Sequence, residues 1–283
     1  QEVTGVQTCA LPISIAYFTK DPEDLVKEGR YLSITTSYIE KNKQDKVNLL
    51  GAYDKGSTSG LIQLVDRSLE ETKLHKDFSL KANPMEGDQQ SIFGKLNIEL
   101  PYESKLTVVA DLQEWESEWV INSEKGFIYF PTPRSISSSS GDDEGSRERF
   151  SISLNLSNTN ALYDSAEVSY YTQETEQSQI TVQNQVSFFG GMQAPPTPTM
   201  RIRDFDFNQS IDGFSFEAYK SIGDYQMIYG LDIENTETER PRMLTEINLI
   251  TGMATNIVEG ETYPNKTFQI GRATCRERVS TSV

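Results

Sequence analysis

Cysteine is nearly absent from this sequence, which has two among 283 residues, Cys9 and Cys275. The string VTGVQTCALPI around Cys9 resembles an in-frame translation of a sequencing-adapter oligonucleotide, and IGRATCRERV around Cys275 resembles its complement. We therefore expect residues 1–14 and 270–283 to be non-native and the chain to be a fragment. Without these cysteines, disulfide scaffolds, thiol nucleophiles and cysteine-ligated zinc are excluded. The alternative is that both cysteines are native and form a pair.

Basic residues are also scarce, with 26 lysines and arginines against 42 acidic residues and a formal net charge of −16. Clustered positive charge is what phosphate groups and anionic lipid surfaces attract. The composition therefore argues against a nucleic-acid partner and against docking on an anionic membrane. No apolar run approaches the ~20 residues that a membrane helix needs, so we expect no membrane span.

What the sequence has in abundance is short alternating runs of β-branched and aromatic residues separated by turn residues, which predict strands from Tyr31 onward. The clearest hairpin joins 95–100 to 105–108 through the turn at 101–104. One helix is predicted at 21–29, because an aspartate can cap it and a proline follows at its first position. We expect an all-β fold of tandem antiparallel β-sandwich-like domains with one short N-terminal helix.

Composition suggests where the domains divide. We predict a first domain at 15–133, a Ser/Asp-rich linker or loop at 134–148 and a second β-rich domain at 149–269. Residues 190–198, rich in glycine and proline, are either a second break or a loop inside the second domain. The apolar alternation slips near Arg203, which predicts a β-bulge there.

The most informative stretch for function contains Glu114, Trp115, Glu116 and Trp119. On a strand the glutamates face one way and the tryptophans the other. Two tryptophans on one face suggest a stacking platform for sugar rings, and the glutamates suggest acid and base groups. The simpler interpretation, which we favour, is that the tryptophans are buried and the glutamates are solvated.

Alternating oxygen-bearing side chains also suggest a weak calcium site at Asp204, Asp206, Asn208 and Asp212. The spacing differs from an EF-hand loop, and a strand that runs into a turn explains it equally well. No other cofactor is indicated, and no catalytic residue is assigned.

Three functions are compatible with these features. We expect first a non-enzymatic binding or structural region of a secreted or cell-envelope protein, with a protein or a polysaccharide at a cell surface as its partner. The second is an accessory carbohydrate-binding region of a larger glycan-active enzyme. The third is an enzyme that uses Glu114 and Glu116 as acid and base.

Overall fold

The computed structural model describes residues 20–26, 29–74, 82–130, 132–223 and 225–259, and the backbone of 265–270 and 278–279. One turn of helix, α1 (Pro22–Leu25), precedes a single sheet, which confirms the all-β prediction. The strands are β1 (Gly29–Ile39), β2 (Gln44–Asp54), β3 (Thr58–Glu70), β4 (Met85–Leu100), β5 (Ser104–Val120), β6 (Gly126–Ile128), β7 (Arg134–Leu156), β8 (Ser165–Ser187), β9 (Thr197–Ile222), β10 (Tyr225–Glu239), β11 (Arg242–Asn248), β12 (Ala254–Val258), β13 (Asn265–Ile270) and β14 (Arg278–Val279).

Strands that follow one another in the chain mostly lie side by side in the sheet. The order is β1-β2-β3-β4-β5-β7-β8-β9-β10-β13, and β6, β11, β12 and β14 pair at its margins. The principal neighbours are antiparallel, as expected for strands joined by hairpins. The sheet passes from the predicted first domain to the second through β5 and β7. The division into two domains and the sandwich-like packing stay predictions.

The central strands are long. β7 and β8 have 23 residues each and β9 has 26, whereas most strands in globular proteins have about 3–10. At about 3.3 Å per residue, β9 extends over roughly 80 Å. Each of these strands is therefore held mainly by the backbone hydrogen bonds along its two edges.

The predicted hairpin is present. β4 turns into β5 with Leu100 opposite Ser104, and Tyr102 and Glu103 have left-handed φ values of 63° and 56°. Left-handed backbone at non-glycine residues is uncommon and occurs in tight turns such as this one.

The linker or loop predicted at 134–148 was wrong, because these residues form the first two thirds of β7. Their serine, glycine and acidic side chains have little to bury, which is why composition suggested mobility. The segment pairs with β8 from Arg134 onward, however, and on its other edge with β6 at 134–136 and with β5 from Ser140 onward. Hydrogen bonding on two edges replaces side-chain burial as the source of order. Residues 190–198 contain most of the turn between β8 and β9 and the first residues of β9. Since β8 and β9 pair directly after this turn, residues 190–198 connect two neighbouring strands of the sheet.

The β-bulge predicted near Arg203 was also wrong. The register of β9 against β8 is continuous from Tyr219 to Thr197, and the register shift lies in β7 between Ile136 and Ser138. The apolar alternation slips in β9 because its apolar side chains change face, without any extra residue.

The sheet has two unlike faces, which the register defines. One side of the sheet, which carries Ile92, Glu116 and Phe214, is termed the open face, and most of its strand side chains are exposed. The other side, which carries Asn97, Trp115 and the residues aligned with them, is termed the polar face, and most of its side chains are half-buried or buried.

Few apolar side chains are fully buried in the described part of the chain, and they are mostly small: Ala52, Leu61, Ile136, Ala166, Ala218 and Leu244. The buried polar residues outnumber them and include Ser59, Asn97, Ser139, Gln183, Gln185, Ser187 and Thr199. This sheet therefore depends on its hydrogen-bonded ladder more than on a layered hydrophobic core.

Helix α1 begins where the sequence predicts, with Asp21 and Asp24 forming a reciprocal capping box and Pro22 at the first position. It ends at Leu25, and Gly29, predicted to close it, begins β1. The described residues include no helix that is long and apolar enough to cross a bilayer.

Two carboxylates attach α1 to the polar face. Asp21 lies 2.7 Å from Nζ of Lys95, and Glu23 lies 2.9 Å from Nζ of Lys105. Burial would raise the pKa of Asp21, but hydrogen bonds from Lys95 and the buried Asn97 outweigh it and hold that pKa below its usual value. These charged contacts fix the start of the described chain on the sheet.

Aromatic rings lie over glycines on the polar face. A Cβ atom added to Gly145 would come within 2.3 Å of the Trp115 ring, and one added to Gly213 within 2.2 Å of the Tyr171 ring. The missing side chain lets each ring lie flat against the neighbouring strand, an arrangement that compensates for glycine in a sheet.

We expect Gly145→Ala to lower the free energy of unfolding by about 1–3 kcal/mol, because the new methyl group displaces the Trp115 ring. Gly94→Ala is the matched control, since it lies in the interior of β4 and its added Cβ meets nothing within 4 Å. Urea unfolding of both variants measures the difference. Equal stability of the two variants would contradict the packing of Trp115 over Gly145.

Candidate functional site

Carboxylates from five strands meet on the open face. Asp88, Glu116, Glu144 and Asp206 lie in one row across β4, β5, β7 and β9, with Ser178 of β8 between the last two. The adjacent row contributes Glu114 and Glu176. We call these six residues the acidic band: Asp88, Glu114, Glu116, Glu144, Glu176 and Asp206. They line a shallow concavity of about 670 Å³.

Like charges in the band are direct neighbours across strands. Glu116 lies opposite Asp88 on one side and opposite Glu144 on the other. Directly opposed residues in an antiparallel pair have Cβ atoms about 4.5–5.5 Å apart, at which like charges destabilise the sheet. Within the described residues no lysine or arginine forms an ion pair with any member of the band.

An apolar stripe borders the band on the same face. Leu112 precedes Glu114 by two residues, and Ile92 lies opposite Leu112. We define the apolar stripe by eight side chains that are 37–53% exposed: Ile62, Leu64, Ile92, Leu112, Phe150, Ile152, Tyr170 and Phe214. The stripe crosses β3, β4, β5, β7, β8 and β9, and therefore forms one continuous surface. Exposed apolar surface of this extent marks sites of interaction.

The four residues predicted as a ligand site divide between the two faces. Glu114 and Glu116 are exposed on the open face, whereas Trp115 and Trp119 are half-buried on the polar face, as strand alternation predicts. The Trp119 Nε1–H donates to Oγ of Ser117 at 3.0 Å. The tryptophans and glutamates therefore do not act on one ligand from the same side.

The predicted calcium ligands do not surround one point. Asp204, Asp206, Asn208 and Asp212 all lie on the open face of β9, but the first and last are eight residues apart, about 27 Å in an extended strand. Asp212 accepts a hydrogen bond from the Tyr170 hydroxyl at 3.1 Å. The part of the chain that the structure describes contains no group of three or more histidine, cysteine, aspartate or glutamate residues placed to hold a metal ion.

The structure brings together two candidate stretches that the sequence analysis treated separately. Glu114 and Glu116 of β5 and Asp206 and Asn208 of β9 line the same concavity. Sequence reasoning missed Glu144, because it interpreted that segment as a linker. The signal was the spacing of Asp142, Glu144 and Glu148, which puts three carboxylates on one face of a strand.

Asp143 shows the electrostatic contrast between the faces. It points to the polar face, where burial raises its pKa and the negative charge of the neighbouring Asp142 raises it further. In β7, Asp143 is therefore half-buried, whereas Asp142, Glu144 and Glu148 on the open face are exposed.

No protein family model matches the chain, and no curated protein is significantly similar to it.

We expect Glu116→Gln to raise the free energy of unfolding by about 0.2–1 kcal/mol at low salt, because it removes repulsion from both neighbouring strands. The gain should shrink as salt screens the band. Asp45→Asn is the control, since Asp45 is exposed and its cross-strand neighbours Tyr38 and Ser68 are uncharged. Urea unfolding at low and high salt measures both. A gain that equals the control, or that does not depend on salt, would contradict repulsion within the band.

Proposed function

We propose that this chain is a non-enzymatic binding or structural region of a secreted or cell-envelope protein, and that it docks through its open face. The partner that fits is a protein surface on which apolar side chains are bordered by lysine and arginine. The observation that carries this proposal is the position of the exposed apolar stripe directly beside the acidic band, which forms no ion pair within the described residues.

The two parts of the open face have different roles in this proposal. Covering the stripe removes apolar surface from water, which contributes about 25 cal/mol per Å² and supplies most of the affinity. The band attracts cationic groups, speeds the encounter and fixes the orientation of the partner. A cationic partner also relieves the repulsion between opposed carboxylates such as Asp88 and Glu116.

A second candidate function is saccharide binding on the polar face. The Trp115 ring lies flat over Gly145, and Gln89 and Gln177 lie in the same row of the sheet. A flat aromatic ring flanked by amide groups is the combination that stacks on and hydrogen-bonds to a sugar ring. This candidate corresponds to an accessory carbohydrate-binding region, and it uses none of the acidic band.

The docking proposal is tested with a synthetic amphipathic peptide of leucine and lysine, whose binding to the whole chain is followed by fluorescence anisotropy. We expect the double substitution of Glu116→Gln with Glu144→Gln to weaken binding roughly three- to tenfold at low salt and less at high salt. Leu112→Ser should weaken it at all salt concentrations, because its effect is apolar.

Glu217→Gln is the control for charge, because Glu217 is exposed on the polar face. Binding that this control weakens as much as the double substitution would refute docking on the open face. Neutral phosphatidylcholine vesicles form the other arm of the experiment. One outcome is that the vesicles bind, that Leu112→Ser but not the double substitution weakens this binding, and that the peptide does not bind. The stripe would then bind lipid, and the protein partner would be excluded.

The saccharide candidate predicts that soluble polysaccharides retard the protein in affinity electrophoresis and that Trp115→Ala abolishes the retardation. Leu112→Ser, on the opposite face, should leave it unchanged. Circular dichroism checks that both variants keep their strand content. Retardation that survives Trp115→Ala would eliminate the stacking role of this ring.

A further inference from the structure

Three arginines gather on the polar face of this acidic protein. Arg201 and Arg203 are two residues apart in β9 and therefore point to the same side of the sheet. Arg134 is the first residue of β7. Arg134 and Arg203 line the same concavity, whose volume is about 430 Å³. Arg134 and Arg203 both contribute to lowering the pKa of Arg201, after burial, which is the largest cause. We call these three residues the arginine cluster.

Two guanidinium groups of the cluster lack partners within the described residues. The Nε atoms of Arg134 and Arg201 are buried and have no hydrogen bond, and neither residue forms an ion pair. Buried donors in proteins are nearly always satisfied, and leaving one without a partner costs about 1–3 kcal/mol. Arg147 also has a buried Nε without a hydrogen bond, but its charge is compensated, because its Nη2 lies 2.7 Å from the carboxylate of Asp111. Within the described residues, Arg134 and Arg201 have no such carboxylate partner.

The nearby carboxylates do not supply what the cluster lacks. Glu259 lies 3.6 Å from Nε of Arg203, and Glu246 lies opposite Arg201 across the strand pair without forming an ion pair. Glu124 lines the concavity, but its Oε2 accepts hydrogen bonds from Ser139 and Gln183. Donors without acceptors therefore remain at Arg134 and Arg201.

We propose that Arg134, Arg201 and Arg203 form a binding site for an oxyanion, a phosphate, sulfate or carboxylate group of a ligand. Guanidinium groups present paired N–H donors that match the oxygens of such groups, often in a bidentate manner. Lys125 lines the same concavity and adds a fourth positive charge. The site is on the face opposite the acidic band, which keeps an anionic ligand away from the carboxylates of the band, and Glu124 is the one carboxylate among the described residues that line the concavity. It is independent of the proposed docking on the open face.

Isothermal titration of the whole chain with inorganic phosphate, sulfate and glucuronate tests this site, with chloride at matched ionic strength as the reference. We expect at least one of these oxyanions to bind where chloride does not. Arg201→Gln and Arg134→Gln should each weaken binding by about tenfold or more, the loss expected for a hydrogen bond to a charged group. Arg201→Lys keeps the charge and should restore binding only in part, because an ammonium group lacks the paired donors.

Arg30→Gln is the control, since it makes the same change in net charge at an exposed position in β1. Circular dichroism verifies that each variant is folded, and two cluster variants are tested so that misfolding of one does not decide the result. Tighter binding of phosphate or sulfate would show that the site recognises a tetrahedral oxyanion. Tighter binding of glucuronate would show that it recognises the carboxylate of an acidic saccharide. Binding no stronger than that of chloride, or an equal loss in Arg30→Gln, would overturn the proposal.

Discussion

The backbone ladder is the constraint on which the rest of this structure depends. From β2 to β9 nearly every described strand residue has a partner on at least one side, and the register is continuous except for the shift in β7 between Ile136 and Ser138. Because side chains alternate with period two, this register assigns each residue to one face over the whole length of the sheet. The acidic band, the apolar stripe and the arginine cluster are all consequences of that assignment.

The ladder distributes polarity in an unusual way. The more buried face carries amides, hydroxyls and arginines, whereas the exposed face carries an apolar stripe. In an antiparallel sheet with one solvated face, the apolar side chains are normally those that are covered. Polar contacts such as Glu23 with Ser59 and Glu124 with Ser139 hold the polar face together. The apolar side chains of the stripe, which other sheets would place in their own core, are exposed here.

Sequence patterns predicted the parts of this structure that depend on neighbours in the chain. The hairpin at 95–108, the capped start of α1 and the opposite directions of Glu116 and Trp115 all follow from local alternation and turn chemistry. The prediction failed at 134–148, where order comes from β5 and β8, and not from anything that the segment itself can bury. The composition of the acidic band could not be predicted from the sequence either, because Asp88, Glu144 and Asp206 become neighbours only through pairings between strands that are distant in the chain.

Charge segregation across the sheet has an energetic consequence. The carboxylates of the band and the guanidinium groups of Arg134 and Arg201 would neutralise one another if they met, but the ladder holds them on opposite faces. Neither set forms an ion pair with any residue that the structure describes. Each set is therefore a source of instability that a ligand of the opposite charge relieves. A ligand that binds the folded chain and not the unfolded chain adds its binding free energy to stability. A ligand that matched the charge of either set would therefore stabilise the folded sheet by its binding free energy.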